Sequence, residues 1–137
     1  MDRTELDGKV VIVTGAAQGI GEAVARAVTA HGARAALLDS NENALKAVVA
    51  DLTAAGHQAA AYPADVRDQT GVEEAVDQAE RDLGPIDVLV NVAGVLFTGA
   101  LVELTDEDWR RTFAVNTDGV FHVSRAIARR IARWVAW

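Results

Sequence analysis

Short apolar runs alternate with amphipathic stretches along nearly the whole chain. The most apolar run, residues 10–13, is rich in β-branched residues, which is typical of a parallel strand buried on both faces. Runs at 33–38, 58–62 and 86–90 predict three further strands, of which 58–62 is the weakest. Between the runs, apolar residues recur at helical spacing. Strict alternation of strand and helix predicts an α/β fold with a parallel sheet.

The predicted helices are bounded by capping residues. The first begins at Gly21, and Ser40, Asp68 and Thr105 are predicted to cap the next three, while a long helix follows from Asn116. The residues predicted to face inward are Ile20, Ala23, Val24, Ala27 and Val28 in the first helix, Leu45, Val48, Val49 and Leu52 in the second, Val72, Ala75, Val76 and Ala79 in the third, and Val120, Phe121, Ser124, Ile127, Ala128 and Ile131 in the long one.

Right-handed crossovers place the four strands in the order 3-2-1-4, which is half of a doubly wound, Rossmann-like sheet. Residues 1–137 are therefore predicted to form one domain of this Rossmann-like type, incomplete on its C-terminal side. The closing segment Trp134-Val135-Ala136-Trp137 stands where a turn and a fifth strand are expected. A premature stop, a change of reading frame or deliberate truncation would each produce such an end.

Three glycines follow the first strand with the spacing G-x-x-x-G-x-G, at Gly15, Gly19 and Gly21. Glycines allow a sharp turn and leave room for a pyrophosphate, which the N–H groups of the next helix would face. The alternative is a glycine-rich turn that only lets strand and helix pack closely. The lysine and hydroxyl of a P-loop are absent, which argues against phosphoryl transfer from ATP.

Asp39 ends the second strand, eighteen residues after Gly21. A carboxylate near this offset can accept hydrogen bonds from both hydroxyls of the adenosine ribose and repels a 2′-phosphate. Because Arg34 lies at the other end of that strand, no phosphate clamp is expected, and NAD is predicted rather than NADP. The alternative is that Asp39 only caps the next helix together with Ser40.

Composition narrows the function classes. Twenty acidic and thirteen basic residues give a net charge of −7, which disfavours nucleic acid and anionic membranes as partners. The sequence has no cysteine, and its three histidines lack ligand spacing, so no metal site is predicted. No apolar run approaches the ~20 residues of a membrane span. A soluble, cytoplasmic protein is expected.

The stretch Thr14-Gly15-Ala16-Ala17-Gln18-Gly19-Ile20-Gly21 resembles the cofactor motif T-G-x-x-x-G-I-G of the short-chain dehydrogenase/reductases. Asp65-Val66 is similar to the aspartate and apolar residue that bracket the adenine ring in this family. Asn91-Val92-Ala93-Gly94 is similar to the family's N-N-A-G stretch. The segment 113–119 resembles the one whose asparagine interrupts a helix and supports a proton relay. The structural alternatives are that Asp65 is only a turn residue, that residues 91–94 only form a turn at the end of a strand, and that Asn116 is the N-cap of a helix. The resemblance implies a supporting catalytic role for Asn116 and cofactor binding by Gly15, Gln18, Gly19, Ile20, Gly21, Asp39, Asp65, Val66, Asn91, Ala93, Gly94 and Val115.

The resemblance also implies hydride transfer between a nicotinamide and an alcohol or carbonyl. The family uses a serine, a tyrosine and a lysine four residues after the tyrosine, but Tyr62, Lys9 and Lys46 are this chain's only tyrosine and lysines. The chain is therefore expected to be inactive alone. The segments 94–96 and 113–125 are similar to the 2,3-dihydro-2,3-dihydroxybenzoate dehydrogenases, which oxidise a cyclic diol during siderophore synthesis.

Partners follow from the same considerations. The complete family enzymes act on small molecules, and a homo-oligomer through the long C-terminal helix is expected, because that helix would lack part of the surface it packs against. The alternative function is a nucleotide-binding or oligomerisation module without catalysis. A methyltransferase shares the fold, but the glycine and asparagine motifs argue against it.

Overall fold

A computed structural model describes residues 5–131 of the chain. Its strands are β1 (Val10–Thr14), β2 (Arg34–Leu38), β3 (Gln58–Ala61) and β4 (Val88–Val90). All pairings are parallel and the order is β3-β2-β1-β4, which confirms the predicted Rossmann-like half-sheet. The predicted closing segment 134–137 lies outside the described residues.

The helices are α1 (Gly19–Ala30), α2 (Glu42–Ala54), α3 (Gln69–Leu83), α4 (Asp106–Phe113) and α5 (Gly119–Ile131). The predicted caps Asp68 and Thr105 are confirmed, and Thr105 forms a reciprocal capping box with Asp108. The prediction for Ser40 was wrong. The side chain of Asn41 caps α2 by accepting the N–H of Ala44, because β2 is followed by one more turn residue than expected.

Side chains of the central strands alternate between two cores. Val10 and Ile12 pack on one face of the sheet, in a cluster that also holds buried residues of α3 and α5. Val11 and Val13 pack on the other face with buried residues of α1 and α2. The sheet is therefore covered by helices on both faces, as parallel sheets require. Within residues 5–131, no helix has the length and apolar character needed to cross a membrane.

The inward face predicted for α1 is confirmed for Val24 and Val28, which are half-buried and pack against the core, but it was wrong for Ile20, Ala23 and Ala27. Gly21, Ala25 and Thr29 are the buried residues of α1, whereas Ile20 is 74% exposed and Ala23 and Ala27 are exposed as well. The helix passes so close to the preceding turn that a Cβ on Gly21 would overlap the carbonyl oxygen of Gly15. Small residues therefore face inward, and the larger apolar residues are displaced to the sides.

The inward face predicted for the long helix was also largely wrong. Val123, Ala126 and Ile127 are buried, whereas Val120, Phe121, Ala128 and Ile131 are exposed and Ser124 is half-buried. The helix carries apolar residues on two sides, so the sequence pattern is ambiguous. Its inward side is the one that carries Arg130, for which α3 supplies carboxylates.

Arg130 is 5% exposed and joins α5 to α3. Its guanidinium pairs with Glu73 at 3.1 Å, with Glu80 at 3.3 Å and with Asp77. Burial by itself would lower the pKa of Arg130, but the hydrogen bonds to Asp77 and Glu73 raise it above its usual value. Removing this cation would leave three acidic side chains facing one another at the interface between α3 and α5.

Candidate functional site

A cleft of about 420 Å³ opens at the carboxyl ends of the strands. This is the edge at which open α/β sheets bind their ligands. Of the residues predicted to bind a cofactor, the cleft is lined by Gly15, Gln18, Gly19, Ile20, Asp39, Asp65, Val66, Ala93, Gly94 and Val115. Gly21 and Asn91 are not among its lining residues.

The glycine-rich turn forms the floor of the cleft at the start of α1. Gly15 and Gly19 have positive φ angles of 66° and 56°, which other residues rarely adopt. A Cβ on Gly15 would lie 2.8 Å from the Cα of Ala93, so this glycine lets the two loops touch. A Cβ on Gly19 would meet nothing within 4 Å, so the space above it is open. Gly21 serves the close packing of α1 beneath this turn.

The positive end of α1 faces this open space. Gln18 is its N-cap residue and makes no side-chain capping hydrogen bond. The side chain of the N-cap residue often accepts a hydrogen bond from the first N–H groups of a helix, but that of Gln18 does not do so here. An anionic group such as a pyrophosphate fits this position.

Asp39 stands on the same rim as the glycine-rich turn. One carboxylate oxygen accepts the N–H of Ala17 at 3.1 Å, and the other accepts the N–H of Asn41 at 2.9 Å. The suggestion that Asp39 caps α2 was wrong, since Asn41 does so. Two backbone bonds fix the carboxylate but leave acceptor capacity on both oxygens.

Asp65 and Val66 form the wall of the cleft after β3. The carboxylate of Asp65 accepts from Arg67, with Nε and Nη2 at 3.0 and 2.6 Å from Oδ2. Chiefly through this hydrogen bond, the pKa of Asp65 lies below its usual value. Arg67 and Arg111 also line the cleft, and neither was predicted from the sequence. Only the position of Arg67 directly after the Asp65-Val66 pair could have suggested it.

The side chain of Thr14 ties the end of β1 to the loop that follows β4. The buried hydroxyl of Thr14 accepts the N–H groups of Val92 and Ala93, each at 3.1 Å. Asn91 donates to the hydroxyl of Ser124 on α5 at 3.1 Å. The Thr14 hydroxyl lies within hydrogen-bond distance of two consecutive amides, whereas the side chain of Asn91 is directed toward α5 and away from the cleft.

Asn116 lies in a π-helical turn, Ala114–Asp118, that joins α4 to α5. Its side chain accepts the N–H of Val95 and donates to the carbonyl oxygen of Val95, both at 2.8 Å. The alternative that Asn116 caps the long helix was wrong, because the backbone is helical on both sides of it. π-helical turns inside α-helices often occur at functional sites. In this turn, the side chain of Asn116 holds the loop after β4 in place.

Residues 9–134 match the short chain dehydrogenase family. The chain is 50% identical over 129 residues to 2,3-dihydro-2,3-dihydroxybenzoate dehydrogenase of Bacillus subtilis, covering 94% of this chain and 49% of that protein. It is 40% identical over 126 residues to D-threitol dehydrogenase of Mycolicibacterium smegmatis, covering 92% of this chain and 48% of that one.

Among solved structures, the chain superposes on a short chain dehydrogenase/reductase from Burkholderia phymatum in complex with NAD. The TM-score is 0.89 at 37% identity, covering 92% of this chain and 45% of that one. The chain thus spans about half the length of the curated relatives it matches. The match over nearly the full length of the described fold agrees with the motif order and the strand order, and the chain belongs to the short chain dehydrogenase family.

Proposed function

We propose that this chain is the NAD(H)-binding part of a short-chain dehydrogenase/reductase. The observation that carries the proposal is the meeting, in one cleft, of the glycine-rich turn, the uncapped start of α1 and the carboxylate of Asp39. Gly19, above which the space is open, supplies the close approach that a pyrophosphate needs. The NAD complex of the Burkholderia relative supports a nicotinamide cofactor.

NAD is the proposed form of that cofactor, in preference to NADP. Asp39 offers acceptor oxygens to two ribose hydroxyls and would repel a 2′-phosphate. Arg67 and Arg111 are the basic residues that line the cleft. The guanidinium of Arg67 is paired with Asp65, and that of Arg111 lies 5.4 Å from the centre of the Phe97 ring. The described residues around Asp39 therefore favour the unphosphorylated ribose.

The cofactor accepts or gives a hydride when bound, and the chain's own residues would hold and orient it. Thr14 and Asn116 keep the loop after β4 in place beside the glycine-rich turn. The substrate is proposed to be an alcohol or carbonyl compound, and a cyclic diol such as 2,3-dihydro-2,3-dihydroxybenzoate is the finer proposal, supported by the Bacillus relative. Because the sequence contains no Y-x-x-x-K, the 137-residue chain is proposed to bind NAD without turnover.

Further proposals concern the setting of the protein. Self-association through the outer side of α5 is proposed, since apolar side chains are exposed there. A cytoplasmic location is likewise proposed, as the default for a sequence whose apolar runs are too short to span a membrane. A nucleotide-binding or oligomerisation module without catalysis is the alternative.

Calorimetric titration with NAD and NADP, beside an assay of NAD reduction with cyclic diols, tests the proposal. Saturable binding of NAD, weaker binding of NADP and no reduction of NAD are expected of the chain alone. Equal affinity for both cofactors would contradict the role of Asp39. Absence of NAD binding would contradict the whole proposal.

A further inference from the structure

The wall of the cleft after β3 is a loop outside regular secondary structure. Ala64, Asp65, Val66 and Arg67 line the cleft from the segment between β3 and α3. The backbone hydrogen bonds of this loop are made to the end of β2 and within the loop itself. The N–H of Ala64 donates to the carbonyl oxygen of Asp39 at 3.0 Å, and the N–H of Asp68 donates to that of Asp65 at 2.9 Å. Its position relative to the opposite wall therefore depends on other contacts.

One such contact comes from α5. Nδ1 of His122 lies 2.8 Å from the carbonyl oxygen of Val66. A carbonyl only accepts, so Nδ1 must carry the proton and donate. The two residues are 56 positions apart, and the bond is partly buried. It therefore ties the loop to the helix layer rather than to its own sequence neighbours.

A second contact involves the same residue of the loop. Val66 is 8% exposed and packs into a notch at Gly119, where an added Cβ would lie 2.5 Å from Cγ2 of Val66. Gly119 and His122 are three residues apart, so they lie on one side of α5. Together they hold Val66 by its side chain and by its carbonyl group.

The same helical segment also holds the opposite wall. Asn116, three residues before Gly119, binds both backbone groups of Val95. Val95 and Val66 both line the cleft, on the loops after β4 and β3. One continuous stretch, residues 116–122, thus spans from one wall to the other and fixes the distance between them.

We propose that His122 is a positioning residue for the dinucleotide, because with Gly119 it sets the place of Val66 and thereby shapes the part of the cleft that receives adenosine. This inference rests on the proposed NAD-binding function. It assigns α5 a role in cofactor affinity through a residue that does not line the cleft. The nicotinamide end of the cofactor is not affected by this contact.

The test compares His122→Leu, which removes the donor at similar volume, with His122→Asn, whose amide nitrogen can occupy the place of Nδ1. His31→Leu is the matched control, since Nδ1 of His31 also lies 2.8 Å from a backbone carbonyl, that of Ala27, within its own helix. Affinities for NAD, AMP and nicotinamide mononucleotide are measured by calorimetry on the full 137-residue chain. His122→Leu is expected to weaken NAD and AMP about threefold to tenfold, the range of one lost hydrogen bond.

Nicotinamide mononucleotide binding should stay unchanged in all variants, and His122→Asn should recover most of the lost AMP affinity. Hydrogen exchange provides a readout independent of nucleotide, and the amides of Ala64, Arg67 and Asp68 should exchange faster in His122→Leu only. Unchanged AMP affinity in His122→Leu, or an equal loss for AMP and nicotinamide mononucleotide, would overturn the inference. Failure of the unsubstituted chain to bind NAD or AMP would instead overturn the proposed function, and this inference with it.

Discussion

The carboxylate of Asp39 accepts a hydrogen bond from the backbone N–H of Ala17 at 3.1 Å. The bond joins the end of β2 to the glycine-rich turn that follows β1, so the acidic group and the turn share one rim of the cleft. A residue that selects a ribose must lie within one nucleotide of the amides that hold the pyrophosphate. Asp39 meets this requirement through a direct contact.

Replacing Asp39 by alanine is expected to weaken NAD binding about tenfold to a hundredfold, the range for hydrogen bonds to a charged group. The preference for NAD over NADP should shrink at the same time, because the repulsion of the 2′-phosphate is removed. Calorimetric titration with both cofactors measures the two effects. Asp51→Ala is the control, since that exposed carboxylate lies on α2 and faces Arg26 at 3.3 Å. Equal NAD affinities for Asp39→Ala and the control would contradict the ribose assignment.

Gly19 and Gly56 offer a matched pair for testing the glycine-rich turn. Both have positive φ, 56° and 85°, and an added Cβ would meet nothing within 4 Å at either position. Alanine should therefore destabilise the fold similarly at both, by about 1 kcal/mol, as measured by urea unfolding. Only Gly19 lines the cleft, so only Gly19→Ala should also lose NAD affinity. Similar NAD affinity in the two variants would argue against a pyrophosphate at this turn.

The sheet and the position of the cleft could be predicted from the sequence because their signals are local. The β-branched run at β1 is typical of a buried parallel strand. The glycines after it favour a tight turn, and the aspartate that ends β2 falls at the edge where parallel sheets bind ligands. Right-handed crossovers then leave one strand order. The order β3-β2-β1-β4 and the lining of the cleft by Gly15, Asp39 and Asp65 follow from these rules.

The faces of α1 and α5 could not be predicted because long-range contacts decide them. α1 buries Gly21 and Ala25 since the helix approaches the turn too closely for larger residues. α5 turns Arg130 inward because the acidic residues that pair with it lie some fifty positions earlier. The Thr14 hydroxyl was overlooked for the same reason, as its two amide partners are supplied by the loop after β4.

Tyr62 provides a test of how β3 and α3 are joined. Its hydroxyl donates to Asp82 at 2.9 Å, and burial followed by this hydrogen bond raises the pKa of the phenol well above 10. Above pH 10 the phenol loses its proton in the unfolded chain but keeps it in the folded one. The stabilisation by this contact is therefore complete below pH 10, and above it the free energy of unfolding falls by up to about 1.4 kcal/mol per pH unit. The unfolding free energy should therefore fall more steeply above pH 10 in the unsubstituted chain than in Tyr62→Phe.

Ultraviolet absorbance gives a direct second measurement, because Tyr62 is the only tyrosine in the chain. Tyrosinate absorbance should develop at clearly higher pH in the native chain than in urea. Titration near pH 10 under both conditions would contradict the buried contact with Asp82.

The outer side of α5 is expected to mediate self-association. Phe121 is 57% exposed, and Val120 and Ile131 are each 38% exposed on the same helix. Exposed apolar side chains grouped on one element are typical of protein interfaces. A charge placed there would lose its water on association, so Phe121→Glu should shift the chain toward monomer. Sedimentation velocity over a range of concentrations measures the shift.

Val102→Glu is the control for this variant, because Val102 is 92% exposed and belongs to the 3-10 turn Leu101–Glu103 rather than to α5. If general apolar exposure drives association, both substitutions should reduce it, whereas an interface on α5 requires that only Phe121→Glu does. A chain that sediments as a stable monomer without either substitution would contradict the interface. NAD binding should persist in the Phe121→Glu monomer, since Phe121 is not among the residues that line the cleft.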